Sequence, residues 1–361
     1  MNALRFAIIG AGNGGQSMAA HLGLLGFPVR LWDVEPEKVQ ALRRRGSITV
    51  SGAVAGEVRV PLVTGDMAEA VEGAAVVMVV LPAVYHGSVA KTMAPHLRDG
   101  QVVVLNPGAT GGALEVRAAL RGHGCRARVT VAETDTLLYA CRSPKPGEAV
   151  IHGIKDHVAV AALPAGAARE VAETLNAAFP QFVPASSVLE TSLTNMNAMM
   201  HPAPTLLNAG RIESRAVFEY YGEGVTPSIA RVVESIDGER LAVAARLGVR
   251  VPSLVEWYAA SYGTRGGTLY ETVQQVRGYD GIRGPATLQT RYLFEDIPTG
   301  LVPLSALGGA LGVPTPLMRA VVELGGTLLG RDFWREGRSL EKLGLAGAGP
   351  EEIRRMTIES R

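Results

Sequence analysis

The stretch Arg5-Phe-Ala-Ile-Ile-Gly-Ala-Gly-Asn-Gly-Gly15 predicts the fold of the N-terminal half of the chain. Its apolar run ending in glycine is typical of a buried parallel strand, and residues 16–25 follow with a helical pattern. The glycines spell G-x-G-x-x-G between that strand and that helix, the context in which this motif indicates dinucleotide binding. The motif permits a tight turn, lets a pyrophosphate approach the backbone, and brings the N–H groups of a helix N-terminus to the phosphates. We therefore expect cofactor contacts from Gly10, Gly12, Asn13, Gly14 and Gly15.

A second strand, Pro28-Val-Arg-Leu-Trp-Asp33, ends in an acidic residue. Asp33 follows Gly12 by about twenty residues, the separation at which a carboxylate accepts hydrogen bonds from the adenosine ribose hydroxyls. Because that carboxylate would repel a 2′-phosphate, the sequence favours NAD(H) as the cofactor. Arg30 and the run Arg43-Arg-Arg45 leave NADP(H) open, although such a run is more often the solvated end of a helix.

Three more apolar runs predict further strands of the same sheet: Ala75-Val-Val-Met-Val-Val-Leu-Pro82, Gln101-Val-Val-Val-Leu105 and Arg128-Val-Thr-Val-Ala-Glu133. Alternation of apolar and polar residues over 47–60 predicts a β-hairpin insertion. In an open α/β sheet, ligands bind beyond the carboxyl ends of the strands. Residues at those ends are therefore expected to line the nicotinamide end of the cofactor, although turn formation explains each one alone equally well. They are Pro82, Asn106, Pro107, Gly108 and Glu133.

Chain length and pattern together predict two domains, because 361 residues exceed one ordinary core. We expect an α/β Rossmann-type dinucleotide-binding domain over residues 1–185 and an all-α substrate and catalytic domain over residues 186–361. Helical patterns of the second half lie at residues 188–209, 227–247, 253–261, 267–275, 285–295, 303–311, 316–329 and 350–358.

The composition argues against several kinds of partner. The formal net charge is +1, so no strong field favours nucleic acid or an anionic membrane surface. No apolar run is long enough to span a bilayer, and no charged leader precedes the first strand. Cys125 and Cys141 form neither a metal-binding spacing nor a disulfide framework. We expect a cytoplasmic protein that needs no metal.

The second half opens with a helical pattern that carries one histidine, Thr191-Ser-Leu-Thr-Asn-Met-Asn-Ala-Met-Met-His-Pro-Ala-Pro-Thr-Leu-Leu-Asn-Ala-Gly210. Unperturbed imidazole titrates near neutral pH, so His201 is the candidate for acid–base chemistry. A lone histidine on an apolar helix is more often a core residue. The chain has no lysine between residues 156 and 341, however, so a lysine cannot perform that chemistry in this part of the chain.

The segment Arg291-Tyr-Leu-Phe-Glu-Asp-Ile-Pro298 supplies candidate partners for His201. An acid pair near a helix C-terminus is unfavourable because that end of the dipole is already negative, which suggests that Asp296 pairs with an imidazolium. On an ideal helix Arg291 points about 140° away from Asp296, so both can face one site only if the helix unwinds before Asp296. Pro298 permits that unwinding. A surface ion pair between Arg291 and Asp296 explains the spacing equally well.

These motifs together resemble the opine dehydrogenase family, which includes octopine dehydrogenase and the bacterial carboxyethyl-norvaline dehydrogenase. The resemblance covers nearly the whole chain, and its more specific parts are Asn195-x-Asn-x-x-x-His201-Pro202 and Arg291-x-x-x-x-Asp296-x-Pro298. It implies a Rossmann-type domain and a helical domain with the active site between them. It also implies NAD(P)H-dependent reductive condensation of a 2-oxo acid, often pyruvate, with the amino group of an amino acid.

The resemblance also implies roles for individual residues. His201 matches the family's catalytic histidine, Asp296 the aspartate that pairs with it, and Arg291 the arginine near the oxo-acid carboxylate. Ala140-Cys141-Arg142, after Glu133, loosely resembles the region that contacts the amino acid, so Glu133 and Cys141 are further candidates for substrate binding. Asn197, in the motif that carries His201, is another candidate. The sequence identifies neither substrate, and it leaves a homodimer open.

Two alternative functions stay open at this point. Other two-domain dehydrogenases, resembling glycerol-3-phosphate dehydrogenase, ketopantoate reductase or a β-hydroxy acid dehydrogenase, use a lysine of the second domain, which this chain lacks over residues 156–341. A non-catalytic NAD-binding sensor would keep the glycine motif and Asp33 but would need no proton-transfer pair. Separation of His201 from Asp296 in space would favour the sensor.

Overall fold

The computed structural model describes residues 4–358 and divides into two compact units. One unit runs to Ser192 and includes the chain again from Met356, and the other is Leu193–Arg355. The division falls a few residues after the boundary near residue 185 that the sequence suggests. Over residues 4–358, no helix combines the length and the apolar character that a membrane span requires.

The N-terminal unit contains two sheets. Its strands are β1 (Phe6–Ile9), β2 (Val29–Trp32), β3 (Ser47–Gly52), β4 (Gly56–Arg59), β5 (Leu62–Thr64), β6 (Val76–Val79), β7 (Val102–Leu105), β8 (Thr130–Thr134), β9 (Tyr139–Arg142), β10 (Glu148–Ile154), β11 (Val158–Leu163) and β12 (Phe182–Pro184). The larger sheet has the order β12-β11-β8-β7-β6-β1-β2-β5, with β8 and β11 antiparallel and all other neighbours parallel. Its central strands are apolar throughout because the sheet is covered on both faces.

The strand order reverses at β1, since the chain first adds β2 on one side and later β6 on the other. The carboxyl end of β1 is therefore the switch point at which ligands bind in open α/β sheets. The smaller sheet has the order β4-β3-β10-β9, and its β3–β4 pair is the antiparallel hairpin predicted from the sequence.

Of the first seven helices in the described part of the chain, six lie between these strands and the seventh comes after the last strand. They are α1 (Asn13–Leu24), α2 (Pro36–Arg45), α3 (Met67–Val71), α4 (His86–Met93), α5 (Gly112–Gly122), α6 (Ala168–Asn176) and α7 (Val188–Leu193). Helix α1 contacts strands of both sheets. Buried side chains of α1 and the strands form a common apolar core. This core holds in place both elements that flank the glycine-rich turn, β1 and α1.

The remaining helices are α8 (Met196–Met200), α9 (Pro202–Leu207), α10 (Ala209–Glu213), α11 (Pro227–Arg246), α12 (Leu254–Tyr262), α13 (Leu269–Val273), α14 (Arg291–Phe294), α15 (Val302–Leu311), α16 (Pro316–Leu329), α17 (Phe333–Glu336) and α18 (Pro350–Ile358). A π-helical turn, Ile297–Leu301, precedes α15. Apart from one isolated β-bridge, the described part of this unit is helical or irregular, as the sequence pattern predicts.

The prediction of one helix over residues 188–209 is wrong, because four short helices, α7 to α10, occupy the segment. The side chain of Asn195 accepts a hydrogen bond from the Ala198 N–H and begins α8. Pro202 then begins α9, since proline fits the first turn of a helix and cannot continue a preceding one. His201 therefore lies at a junction between two helices.

The prediction of a helix over residues 285–295 is also wrong in extent, because α14 covers only four residues. The Thr290 hydroxyl accepts a hydrogen bond from the Tyr292 N–H and starts the helix late. Asp296 lies two residues after Phe294, the last residue of α14, and directly precedes the π-helical turn. The chain therefore unwinds next to Asp296, as the position of Pro298 suggests.

Candidate active site

The backbone of His201 is fixed on both sides of the helix junction. Its N–H donates to the Asn197 carbonyl oxygen at 3.0 Å. Its own carbonyl oxygen accepts hydrogen bonds from the Thr205 hydroxyl at 2.7 Å and from the Tyr220 hydroxyl at 2.8 Å. The histidine side chain thus projects from a backbone that is tied to α8, to α9 and to the segment before α11.

Asp296 contacts the imidazole of His201. The Nδ1 atom lies 2.7 Å from Oδ2 of Asp296, and the two residues are 9% and 5% exposed. The buried carboxylate accepts a hydrogen bond from Nδ1–H of the imidazole. In the neutral ring, Nε2 therefore carries the lone pair. Separation of His201 from Asp296 would have favoured a non-catalytic sensor, but the two residues are in contact.

A close approach of two backbones brings this pair together. A Cβ atom on Gly300, in the π-helical turn after Asp296, would lie 2.4 Å from the Cβ atom of Ala198 in α8. That distance is too short for two carbon atoms, so only glycine lets the turn reach α8. Asp296 and His201 are each a few residues away from this contact.

Tyrosines surround the pair, and the sequence reasoning missed them. The Tyr292 ring stacks on the His201 ring with centroids 4.0 Å apart and an interplanar angle of 16°. The Tyr221 hydroxyl lies 3.3 Å from Nε2 of His201. Behind Tyr221, the Tyr279 ring stacks at 3.8 Å, and its hydroxyl lies 3.0 Å from that of Tyr258.

One signal for these tyrosines was present in the sequence. Seven of the nine tyrosines fall in one stretch of the second half, although the chain has few aromatic residues overall. These are Tyr220, Tyr221, Tyr258, Tyr262, Tyr270, Tyr279 and Tyr292. Burial raises the pKa of Tyr220, Tyr221, Tyr258 and Tyr279 well above the ordinary value, so their hydroxyls stay protonated at neutral pH.

Arg291 lies at the start of α14 and its side chain is 69% exposed. Its guanidinium pairs with the Glu295 carboxylate at 3.1 Å, so the ion pair with Asp296 that the spacing allowed does not form. The guanidinium end of this pair is exposed, whereas the Glu295 side chain is only 9% exposed. The arginine is therefore accessible to a carboxylate ligand, and substrate binding by Arg291 stays a prediction.

Two of the three other candidates for substrate binding are buried within the N-terminal unit. Glu133 is 0% exposed, and its carboxylate accepts hydrogen bonds from the Ala113 N–H and from the hydroxyls of Thr191 and Ser192, each at 2.7 Å. Its expected place at the end of a strand is correct, but its oxygens bind the protein itself, and a substrate role is not supported. A Cβ atom on Gly108 would overlap Glu133, which explains the glycine.

Cys141 is 5% exposed and belongs to the apolar core, and burial raises the pKa of its thiol. Alternate residues of β9 face inward and Cys141 is one of them, so this burial gives the predicted substrate contact by Cys141 no support. Asn197 is exposed on α8, and its substrate role stays a prediction.

The glycine-rich turn fits the phosphates of a dinucleotide. Gly10 has φ +110°, and a Cβ atom there would overlap Val80 and Leu81. A Cβ atom on Gly15 would lie 1.7 Å from the Gly10 carbonyl oxygen, whereas the space beside Gly12 is open. Helix α1 has neither a side-chain cap nor an acidic residue in its first turn, so its N-terminus is suited to an anion.

Polar side chains fix this turn. The Asn13 side-chain oxygen accepts the Ser143 N–H at 2.9 Å, so Asn13 holds a neighbouring loop. Gln16, which the sequence reasoning missed, is 3% exposed and donates to the Ala11 carbonyl oxygen at 2.9 Å. Gly14 packs against Val80, where a Cβ atom would be 2.8 Å from a methyl group.

Asp33 lies at the end of β2 as predicted, but it is buried and already has partners. Its Oδ2 accepts from the Ala11 N–H at 2.7 Å and from Lys38 at 3.2 Å, and its Oδ1 accepts from the Glu35 N–H at 3.0 Å. Since a carboxylate accepts about four hydrogen bonds, one position is left for a ribose hydroxyl. Asp33 thus anchors the glycine-rich turn, and its contact with a ribose hydroxyl stays a prediction.

Asn106 lies at the carboxyl end of β7, beside the switch point. It is 3% exposed, and its amide nitrogen donates to the Val104 carbonyl oxygen at 2.9 Å. Its Oδ1 atom is buried and has no hydrogen-bond partner within residues 4–358. A buried acceptor without a partner costs about 1–3 kcal/mol, so this atom fits a donor on a bound cofactor. Pro82 is exposed at the end of the neighbouring strand β6, and Pro107 and Gly108 follow Asn106.

Comparison with known proteins agrees with both units. The model of the α-helical domain of NAD/NADP octopine/nopaline dehydrogenases matches residues 184–329, and that of the NAD-dependent glycerol-3-phosphate dehydrogenase N-terminus matches residues 5–113. An opine dehydrogenase of Arthrobacter sp. (strain 1C) is 47% identical over 350 residues, which are 97% of each chain.

Solved structures share the fold. Octopine dehydrogenase in complex with NADH and L-arginine aligns with a TM-score of 0.81 and 21% identity over 97% of each chain. Yersinopine dehydrogenase bound to NADP+ aligns with a TM-score of 0.75 and 18% identity over 99% of this chain and 98% of its own. The predicted fold class, a Rossmann-type domain plus a helical domain, is confirmed.

The dinucleotide-binding sheet and the helical unit with its histidine–aspartate pair define an NAD(P)-dependent oxidoreductase. The identity of 47% over nearly the full length is decisive for the family. The chain belongs to the opine dehydrogenases.

Proposed function

We propose that this chain condenses the amino group of an amino acid with a 2-oxo acid such as pyruvate and reduces the resulting imine, and that it catalyses the reverse oxidation. The contact between His201 Nδ1 and Asp296 carries the proposal. It leaves Nε2 with a lone pair in the neutral ring and lets the ring take a second proton beside a carboxylate. One group that both accepts and donates a proton is what imine formation requires.

In the first steps, Nε2 of His201 removes a proton from the substrate ammonium group. The free amine attacks the keto carbon, the electron pair of the C=O double bond moves onto the oxygen, and the imidazolium protonates that oxygen. Nε2 then takes a second proton from the nitrogen. The C–O bond breaks with its electron pair on the oxygen, which receives this proton and leaves as water. The ammonium and the oxo acid have become a protonated imine and one water molecule, and His201 is neutral again.

Asp296 and Arg291 support these steps in different ways. Asp296 holds the Nδ1 proton, fixes the tautomer and stabilises the imidazolium in each half of the cycle. The exposed guanidinium of Arg291 binds the carboxylate of the oxo acid, to which it can donate two parallel hydrogen bonds.

The nicotinamide cofactor, when bound, supplies the hydride that reduces the imine carbon. The glycine-rich turn and the N-terminus of α1 would hold its pyrophosphate, Asp33 its adenosine ribose, and Asn106 Oδ1 a donor at the nicotinamide end. Asp33 supports a preference for NAD(H), because its carboxylate repels a 2′-phosphate. Lys38, 3.2 Å from Asp33, weakens that repulsion and keeps NADP(H) usable.

The experiment that tests this function measures NADH oxidation with pyruvate and with each amino acid, separately and together. We expect oxidation that requires both substrates. Oxidation with the oxo acid alone would instead indicate a simple 2-oxo acid reductase, the nearest alternative. A parallel titration of protein fluorescence with NADH and NADPH compares the two affinities without turnover.

We also propose a reducing, cytoplasmic location and a homodimer. Cys125 and Cys141 are both free thiols, which supports the location. Leu324 and Leu328 lie one turn apart on α16 and are both exposed, an apolar pair that a subunit contact would cover. Light scattering after size-exclusion chromatography measures the mass, and a mass of one chain would contradict the dimer.

A further inference from the structure

The two ring nitrogens of His201 have contacts of unequal length. Nδ1 lies 2.7 Å from Asp296, as expected for a hydrogen bond to a charged acceptor. Nε2 lies 3.3 Å from the Tyr221 hydroxyl, beyond the usual length of a hydrogen bond made by a hydroxyl group. The loose contact is at the nitrogen that exchanges protons with the substrate. An oxygen atom that approaches Nε2 therefore also comes within reach of the Tyr221 hydroxyl.

The Tyr221 hydroxyl can donate a hydrogen bond but cannot act as a base. Burial raises the pKa of Tyr221 well above its ordinary value, and the neighbouring Tyr292 and Tyr258 act in the same direction. The hydroxyl thus stays protonated across the working pH range. A keto oxygen that becomes negative during amine attack is the acceptor that such a donor stabilises.

The ring of Tyr221 is held in one orientation. Tyr279 stacks on it with centroids 3.8 Å apart and planes 14° from parallel, and the Tyr220 ring lies nearly perpendicular to it with centroids 5.0 Å apart. The Tyr279 hydroxyl is bound in turn to that of Tyr258 on α12. A donor that is already oriented stabilises developing charge without reorganisation during the reaction.

We propose that Tyr221 is a second catalytic donor to the oxygen of the oxo acid, acting beside His201. This inference rests on the proposed function. The hydroxyl donates to the oxygen when the electron pair of the C=O bond moves onto it, and it keeps that contact while the C–O bond breaks and water leaves. Tyr221 keeps its own proton throughout, because His201 supplies both protons that the oxygen takes up.

Oxidation of the opine separates the step that involves this oxygen from hydride transfer. In that direction the imine forms first, with one NADH per active site, and water then adds to the imine carbon and releases the two products. Tyr221→Phe keeps the stacked ring and removes only the hydroxyl. The probe is the opine that the wild type makes from pyruvate and its fastest amino acid, purified and mixed with NAD+ in a stopped-flow fluorimeter.

We expect Tyr221→Phe to form its first equivalent of NADH at a rate within about threefold of the wild type. Its steady-state kcat should fall by about 10²–10³, the cost of removing one donor to a developing oxyanion. Tyr270→Phe is the matched control, since it removes the hydroxyl of another tyrosine of the same unit, on α13 and outside the stacked rings beside His201. We expect it to change both phases less than threefold.

Each other outcome rejects the inference. An unchanged steady state in Tyr221→Phe would mean that the hydroxyl does not act on the oxygen. Equal slowing of both phases would indicate a purely structural role, and the amplitude of the first phase reports whether the sites are folded. If the wild type makes no opine at all, the proposed function itself is refuted. If the wild type makes the opine and Tyr221→Phe has the same two rates as the wild type, only the role of Tyr221 is refuted.

Discussion

The Nδ1 atom of His201 lies 2.7 Å from Oδ2 of Asp296, although 95 residues separate them in the chain. Both are buried, and each lies where a helix ends or changes its winding. The contact orients the ring and leaves Nε2 for proton exchange. The proposed acid–base chemistry therefore depends on how two irregular segments meet.

Asp296→Asn should leave the shape of this site unchanged but remove the negative charge that holds the Nδ1 proton. We expect kcat to fall by about 10²–10⁴, the usual share of one general acid–base group. The affinity for NADH, measured by fluorescence titration, should not change. Asp280→Asn, on an exposed carboxylate of the same unit, is the control. Equal kcat values for Asp296→Asn and the wild type would refute the role of Asp296.

Arg291→Ala should weaken binding of the oxo acid. Loss of a charge-assisted hydrogen bond costs about 1.5–3 kcal/mol, so KM for pyruvate should rise by roughly ten- to hundredfold. KM for the amino acid should change little if Arg291 binds only the oxo acid. Arg231→Ala, on the exposed face of α11, serves as the control. A rise confined to the KM of the amino acid would assign Arg291 to the other substrate.

Gly300→Ala should separate the segments that carry His201 and Asp296. The added methyl group would lie 2.4 Å from the Cβ atom of Ala198, so the π-helical turn must move. Overpacking of this kind costs about 1–3 kcal/mol of unfolding free energy, and kcat should fall as well. Gly309→Ala, in the next helix, meets no atom within 4 Å and should be neutral or stabilising. Chemical denaturation measures the unfolding free energy of both variants, and equal values for Gly300→Ala and Gly309→Ala would contradict the steric argument.

Asp135 should make the stability of the protein depend on pH. Burial raises the pKa of this carboxyl to about 6, and Lys155 and the Ala159 N–H oppose the shift only in part. Between about pH 4 and pH 6 the folded chain holds a proton that the unfolded chain has lost, so this contribution to stability falls as pH rises. Above pH 6 the ionised group costs on the order of 1–3 kcal/mol.

Asp135→Asn removes this titration. The stability of the variant minus that of the wild type should be larger at pH 8 than at pH 4. Thermal unfolding of both proteins at the two pH values measures this difference. Asp156→Asn, on an exposed neighbour, should show no such difference. A variant whose relative stability is the same at both pH values would contradict the assignment.

The sequence predicted those parts of the molecule that local pattern determines. Continuous apolar runs end in the glycine-rich turn and in Asp33, and the sheet forms where those runs predict it. The pairing of His201 with Asp296 was suggested by the unfavourable acid pair near a helix C-terminus and by motifs that resemble those of a known family. Neither spacing nor periodicity could have provided a contact across 95 residues.

The errors have tertiary causes. Capping by Asn195 and the restrictions of Pro202 break a segment whose apolar periodicity looked like one helix. Glu133 lies at the end of a strand, yet two hydroxyls of α7 and a backbone N–H of α5 enclose its carboxylate. Tyr221 and Tyr292 meet His201 only because three separate segments converge.

The central claim is that His201 catalyses the joining of an amino acid to a 2-oxo acid. Mass spectrometry of reactions that contain pyruvate, NADH and a mixture of amino acids tests it most directly, with the wild type and His201→Asn in parallel. We predict a secondary amine with two carboxylates from the wild type and none from His201→Asn, although both bind NADH equally. Lactate formed from pyruvate as the product of the wild type, or the same secondary amine formed at the wild-type rate by His201→Asn, would contradict the claim.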